Sequence, residues 1–462
     1  MNIKKIFEDP KTKKILIIAV GILAVLLMIL TVVALVASKN KKNTTSSTTP
    51  SGTTSSNSSS GEITLNYWGL WEPSSVMDKT IKDFEAANPG VKIAYSQQRF
   101  ATYESRIYTR LQQASSSTEP APDIFRIHNT WLPKFKKYLS PMPSSIMTKD
   151  EYASTFYPTA IEDFTAKDGQ IYAIPWEIDG LAVFYNKKIF QNANVKEVPK
   201  DWDSFFELAT TLTVKDSSNK ITQSGVALGT SRNIKHSAEI VSFLLLQEGA
   251  EIIDSTKTKV TLNTPKGQKV FKQYTDFASG DTAVWSSTLR SDLEMFFAGK
   301  LAMMIAPSWR VFDIIEAAPQ IEFDMAPLPQ LKANDFEVYY STYWGDAVNS
   351  TSPNKEMAWK FVKYLSEKET QKQLYSASST IRAFGEPYSR VDLNSEMQDK
   401  PYVSAIATMA PYMKSWQMGD ESFVKATINE AVTEILENGK DISSALKNAE
   451  SIINSKLAET NK

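Results

Sequence analysis

Glu177 and Asp179, in the run Trp176-Glu177-Ile178-Asp179, are spaced to face one side of an extended segment, and Glu72 stands beside Trp71 in the run Tyr67-Trp68-Gly69-Leu70-Trp71-Glu72-Pro73. Two carboxylates on either side of a glycosidic bond can serve as acid and base. Carboxylates beside flat aromatic rings can instead hydrogen-bond the polar rim of a ligand whose apolar face lies on the ring. Other chemistries are poorly supplied. The chain has no Cys, which removes disulfides, thiolate metal sites, Cys nucleophiles and the acylated cysteine of a lipoprotein anchor. His128 and His236 are the two histidines and lack metal-ligand spacing, so a zinc centre or a Ser-His-Asp hydrolase has little support, and no cofactor is expected. Ten Trp, 18 Tyr and 22 Phe leave much aromatic surface to be placed.

A chain of 462 residues suggests two or three packing units. Residues 15–37 (Ile15 to Ala37) carry no charge and are long enough to cross a bilayer, with residues 1–14 as a cytoplasmic N-terminus; a cleaved signal peptide is the competing reading, with small residues at Val36-Ala37-Ser38. Lysines flank the span on both sides, so the positive-inside bias orients it only weakly. Residues 38–61 form a linker whose Ser/Thr-rich part, Asn43 to Gly61, cannot bury enough apolar surface to order itself and reaches roughly 25 Å as a tether. Taking the eight lysines and two acidic residues that precede Glu62 from the totals of 51 basic and 52 acidic leaves 43 and 50. That acidic balance argues against nucleic acid as the main partner.

The elements that must position the candidate residues follow from periodicity. Ile63, Leu65 and Tyr67 alternate as in a strand; Ser75 and Asp78 suggest a capping box ahead of Met77, Ile81 and Phe84 at helical spacing, and Asn88-Pro89-Gly90 ends that helix. Val91 to Tyr95, Tyr103 to Ala114 and Asp123 to Ile127 continue as strand, helix and strand, the pattern of a parallel α/β sheet whose ligands sit at the carboxyl ends of the strands. Trp68 falls at the first such end, and His128, Asn129 and Trp131 at the third. A second unit starts at the apolar strand Leu181 to Tyr185. Asp201 caps a helix over Phe205 to Leu212, further helices fall near 237–248 and 265–279, and Leu301 to Ala306 is a buried strand. The last helices open at Ser352-Pro353-Asn354 and cover Asn429 to Leu436 and Ile442 to Leu457.

In this order the segments resemble family 1 extracellular solute-binding proteins of ABC importers, the group that includes maltodextrin-binding proteins. The resemblance rests on "ITLNYWG", "PDIFRIHNTWLPKF", "DGQIYAIPWEIDGLAVFYNKKIF", "PKDWDSFFELATTLT", "FFAGKLAMMIAPSWR", "APLPQ" and "SPNKEMAWKFVKYLSEKETQKQLY", in register from Ile63 onward. It implies a two-lobed periplasmic-binding-protein-like α/β fold with a hinge of three crossovers: residues 62–176 plus 305–350 in one lobe, 180–304 plus 355–462 in the other. It further implies a monomer that passes a sugar or oligosaccharide to an ABC permease. Asp179 matches an acidic residue that hydrogen-bonds sugar hydroxyls in maltodextrin binders, and Trp309, followed by Arg310, matches a tryptophan that stacks on sugar rings. The loops holding Trp68, Trp71 and Glu72, and His128 and Asn129, correspond to ligand-contacting loops. Trp176 and Glu177, the crossover residues Tyr343, Trp344 and Asp346, then Arg382 and Trp416, complete the expected ligand site. The N-terminal span departs from the family, whose members are usually soluble or held by a lipidated Cys.

Each residue has a plainer reading. Trp68 could staple the helix below it, His128 could be a satisfied loop histidine, and Trp131 could be core for the helix it begins. Trp202 and Trp359 read as core, whereas Trp285 and Trp416 sit in irregular loops. The leading expectation is a membrane-tethered extracytoplasmic receptor that closes its lobes on a sugar. An anchored glycoside-cleaving enzyme using Glu177 with Asp179 or Glu72, and a surface glycan adhesin, are the alternatives.

Overall fold

The computed structural model describes residues 62–113, 121–332 and 336–460. The expected membrane span and linker lie outside the described residues, among which no helix is long and apolar enough to cross a membrane.

Among the described residues, twelve strands make two five-stranded sheets and one small ladder. In chain order they are β1 (Ile63–Gly69), β2 (Val91–Gln97), β3 (Ile124–His128), β4 (Ile174–Pro175), β5 (Leu181–Asn186) and β6 (Val214–Lys215). There follow β7 (Ile221–Val226), β8 (Leu301–Pro307), β9 (Phe323–Ala326), β10 (Tyr339–Tyr340), β11 (Trp344–Val348) and β12 (Met413–Lys414). The first sheet has the order β2-β1-β3-β11-β4 and the second β6-β7-β8-β5-β9. β1 runs parallel to β2 and β3, as the strand-helix alternation requires, and β11 returns antiparallel between β3 and β4. Leu65 and Tyr67 bury one face of β1, and Val76, Met77, Ile81 and Phe84 bury the stripe of the helix Ser74–Ala87 that crosses it.

The chain passes between the sheets three times, and the three passes lie side by side. The first, Trp176 to Gly180, joins β4 to β5; the second runs from β9 through β10 to β11; the third contains β12. Gly180 bridges Ser341, while Tyr339 and Tyr340 pair in parallel with Met413 and Lys414. Close approach explains the glycine: a Cβ on Gly180 would stand 2.3 Å from the Tyr340 carbonyl oxygen and 2.6 Å from Met413 Cε.

Several expectations are corrected. Residues 305–350 were assigned to the first lobe, yet β8 and β9 both pair with β5 in the second sheet, so the return to the first occurs only at β11. The run Leu301–Pro307 is fully buried, and its place inside that sheet accounts for its unbroken apolar character. Residues 355–462 were assigned to the second lobe, yet the helices Lys355–Leu365 and Lys368–Ser378 pack on the helix Ser74–Ala87. Phe361 lies edge-on to Tyr67 of β1 at 5.8 Å and to Phe84 at 4.8 Å. No capping box forms at Ser75: the helix begins one residue earlier, after Pro73, with no side-chain cap. Asp201 does cap its helix, accepting from the Ser204 N–H at 3.0 Å. The helix expected from Asn429 begins at Glu421, capped by Asp420.

Candidate functional site

The first crossover carries Trp176, Glu177 and Asp179 into a pocket of buried charge beside the end of β1 and the centre of β3. Arg126, on β3, is fully buried; its Nη1 donates to Glu72 Oε2 at 2.6 Å, its Nε lies 3.6 Å from Asp346 Oδ1, and its guanidinium sits 3.9 Å above the Trp176 ring. The Tyr67 hydroxyl donates to Asp346 at 3.0 Å. From the loop after the helix Lys368–Ser378 come Arg382 and Glu386, paired at 2.5 Å, with Arg382 Nη2 also 3.9 Å from Glu72 Oε1. Glu386 stands beside Glu72 and Glu177 and acts electrostatically on both.

This crowding of acids sets their protonation. Burial raises Glu72, and Glu386 adds to it, against the opposing pull of Arg126. Burial and then the Glu386 carboxylate push Glu177 well above the usual carboxylate range. Asp179 is pushed up to about 7 by burial, although the Gly180 and Ser308 N–H groups donate to its Oδ1 at 2.7 and 3.3 Å. Glu386 goes the other way: its burial is outweighed by Arg382 and by hydrogen bonds from its carboxyl neighbours. A narrow cavity adjoins the pocket, walled by Trp176, Gln371, Leu374, Tyr375, Glu386 and Tyr388. Glu72 Oε1, Arg126 Nε, Trp176 Nε1, Gln371 Oε1 and Arg382 Nε are buried there without a hydrogen-bond partner. Orphaned buried polar atoms are costly, and five in one place call for an explanation.

A second buried array spans the crossovers. His128 Nδ1, at the end of β3, lies 3.2 Å from Glu421 Oε2, and the Trp131 indole donates to the same oxygen at 2.8 Å. Lys425, one turn along the helix from Glu421, pairs with Glu421 at 2.5 Å and with Glu239 at 2.7 Å. Glu239 lies 3.1 Å from His236 Nδ1; Arg310 Nε donates to His236 Nε2 at 3.2 Å, and Arg310 Nη1 pairs with Asp313 at 2.6 Å. Base and acid alternate from His128 to His236, where Arg310 adds a further donor, and the link atoms are engaged. Burial alone would raise Glu239, but Lys425 and His236 hold it at about 2; His128 and Lys425 likewise hold Glu421 well below the usual range.

The expected site residues therefore separate. Glu72, Trp176, Glu177, Asp346 and Arg382 meet in the pocket, with Asp179 two residues along the crossover. Trp344 is the hub of an aromatic group with Trp71 (5.3 Å), His128 (5.1 Å) and Trp131 (5.0 Å), adjoining the pocket through Trp71 next to Glu72. Asn129 and Tyr343 instead donate to the buried Asp163 at 3.1 and 2.8 Å. Trp309 is 40% exposed with Arg310 stacked on it at 3.9 Å. Trp416 is buried and donates to Ser242 at 3.2 Å, and Trp68 lies half-buried 5.2 Å from Arg106. Trp359 and Trp285 are fully buried core. Arg126, Gln371 and Glu386 were missed. An arginine inside the apolar run "IFRIH" is a signal that could have exposed Arg126, and Glu386 stands four residues after Arg382, a spacing that suits an ion pair.

The family model for bacterial extracellular solute-binding proteins matches residues 79–420. The chain is 25% identical over 411 residues to the diacetylchitobiose-binding protein DasA of Streptomyces coelicolor, covering 86% of this chain and 90% of that one. It is 24% identical over 404 residues to the maltotriose-binding protein of Pyrococcus abyssi, covering 84% and 81%. Among solved structures, the cyclic α-maltosyl-1,6-maltose binding protein of Arthrobacter globiformis superimposes with a TM-score of 0.72 at 16% identity, over 86% of this chain and all of that one (100%). A cyclo/maltodextrin-binding protein complexed with maltotetraose gives 0.69 at 20% identity, over 86% and 98%. The two sheets with their crossovers are thus the two-lobed α/β fold of these proteins.

Proposed function

The chain belongs to the bacterial extracellular solute-binding protein family, whose binding domains work outside the cytoplasm, and from that premise we propose that it captures a sugar or oligosaccharide at the crossovers and hands it to an ABC permease. The observation that carries this reading is the set of orphaned buried atoms, Glu72 Oε1, Arg126 Nε, Trp176 Nε1, Gln371 Oε1 and Arg382 Nε, beside the rings of Trp176, Tyr375 and Tyr388. A sugar ring offers hydroxyls that donate and accept, and an apolar face that stacks. The sugar binders among its relatives and structural neighbours support that ligand class.

The mechanism needs no covalent step. A ligand that touches groups of both sheets stabilises the conformation that brings them together, and hinge motion at three adjacent strands opens and closes that arrangement. Asp179 and Trp309 reach the ligand from the second sheet's side of the crossover and Glu72 and Arg382 from the first. Residues 15–37 tether the receptor to the membrane, and it acts as a monomer. The test is a calorimetric screen of the full-length chain against sugars, peptides and polyamines. A sugar binds, and Trp309→Ala and Asp179→Ala each weaken it roughly tenfold or more; binding of a peptide alone overturns the ligand class, and unchanged affinity in both variants overturns the site.

A further inference from the structure

The pocket holds more acid than base. Glu72, Glu177, Asp179 and Glu386 converge on it, each acting on at least one other of the four, and Asp346 joins them through Arg126, against the two cations Arg126 and Arg382. Arg126 is already engaged by Glu72 and Asp346, and Arg382 by Glu386. Glu177 is 6% exposed, and the strongest charge acting on it is another carboxylate, that of Glu386. Buried carboxylates in such excess are stable only if they hold protons or if a cation joins them.

Two further observations point to a cation. Glu72 Oε1 and Gln371 Oε1 are buried acceptors with no donor, 1% and 5% of their residues' surface being exposed. The adjoining cavity is walled by the rings of Trp176, Tyr375 and Tyr388 with Leu365, Leu374, Gln371 and Glu386, and two of those rings already carry a cation, Trp176 the guanidinium of Arg126 at 3.9 Å and Tyr375 the ammonium of Lys400 at 4.9 Å. Ring faces next to carboxylates are the surroundings in which an ammonium group binds well. A neutral sugar would satisfy the orphaned atoms and leave the excess of acid standing.

Building on the sugar-receptor reading above, we propose that the ligand is an amino sugar, or a glycan containing one, whose ammonium supplies the cation missing between Glu177 and Glu386. The selectivity then resides in those two carboxylates, while Asp346 and Tyr67 hold Arg126 in place.

Titration of the full-length chain at neutral pH with β-1,4-linked trimers of glucosamine, N-acetylglucosamine and glucose tests this, because the three differ only in carrying an ammonium, an amide or a hydroxyl at C2. Maltotriose and spermidine complete the set. The glucosamine trimer binds roughly tenfold or more tighter than either neutral trimer and than maltotriose, as a charge-assisted hydrogen bond supplies. Glu177→Gln abolishes that preference, and Glu386→Gln serves the same purpose if the first variant is poorly folded. A neutral sugar that binds as tightly as the glucosamine trimer, or a preference that survives both variants, overturns the amine while leaving the sugar reading intact. Binding of spermidine alone, or of no sugar, overturns the sugar reading and this inference with it.

Discussion

Two buried charged arrays meet the same crossovers and differ in one respect. In the chain from His128 through Glu421, Lys425 and Glu239 to His236, acid and base alternate, Arg310 adds a donor to the far side of His236, and each finds its neighbour within 3.2 Å. In the pocket around Glu72, acids outnumber bases and five polar atoms have no hydrogen-bond partner. A satisfied array holds the fold together, because removing a member strands its partner. An unsatisfied one costs stability, and under the proposed function it is kept for binding. Charge burial alone thus does not mark a site; the balance of partners does.

The comparison predicts unequal responses to mutation. Lys425→Met leaves Glu239 and Glu421 buried without their shared cation, and chemical denaturation will show a loss of about 3–5 kcal/mol. A loss below about 1 kcal/mol would mean that the ion chain is not structural. Gly180→Ala, at the junction of the three crossovers, forces a Cβ against the Tyr340 carbonyl and costs about 2–3 kcal/mol in the same assay.

The two arrays also differ in the sign of their pH dependence. Raised carboxyls in the pocket, with Asp179 at about 7, bind protons more readily folded than unfolded, so their contribution is largest below the unfolded carboxylate range and is lost as pH rises toward 7. Depressed carboxyls, Glu239 at about 2 with Glu421 and the Arg382-paired Glu386, stabilise above that range and lose their contribution as pH falls toward 2. Thermal melts of the ligand-free chain should therefore peak near pH 5, with a fall of about 2 kcal/mol on going to pH 8 that Asp179→Asn diminishes. A flat profile between pH 5 and 8 would place the pocket acids in ordinary protonation states. Smallest of all is the effect of Glu177→Gln on stability, within about 1 kcal/mol and of either sign, because the amide relieves a buried acid that has its closest charge in another acid.

Local pattern made much of this legible. Alternation and helical spacing located β1, β2, β3, β5 and β8, and the Trp176 to Asp179 run was singled out before its surroundings were known. Pairing across long sequence distances was not legible: which sheet receives β8 and β9 depends on β5, more than a hundred residues before β8, and nothing in the run Leu301–Pro307 encodes that partner. The same holds for side chains. His128 looks like a free loop histidine until the helix from Glu421 is brought against it, and Glu177 gains its partner only when Glu386 folds back beside it. Arg126 was visible as a charge in an apolar strand, but its partners Tyr67, Glu72, Trp176 and Asp346 come from β1, the loop after it, the first crossover and β11.

The most direct measurement is the affinity of the full-length chain, by tryptophan fluorescence, for the tightest sugar of the screen, compared between Arg382→Ala in the pocket and Lys425→Met in the ion chain, both well below their unfolding temperatures. Arg382→Ala weakens binding roughly tenfold or more while Lys425→Met stays within about threefold of the parent protein. The reverse order, or equal losses, would contradict the assignment of the unsatisfied pocket as the ligand site.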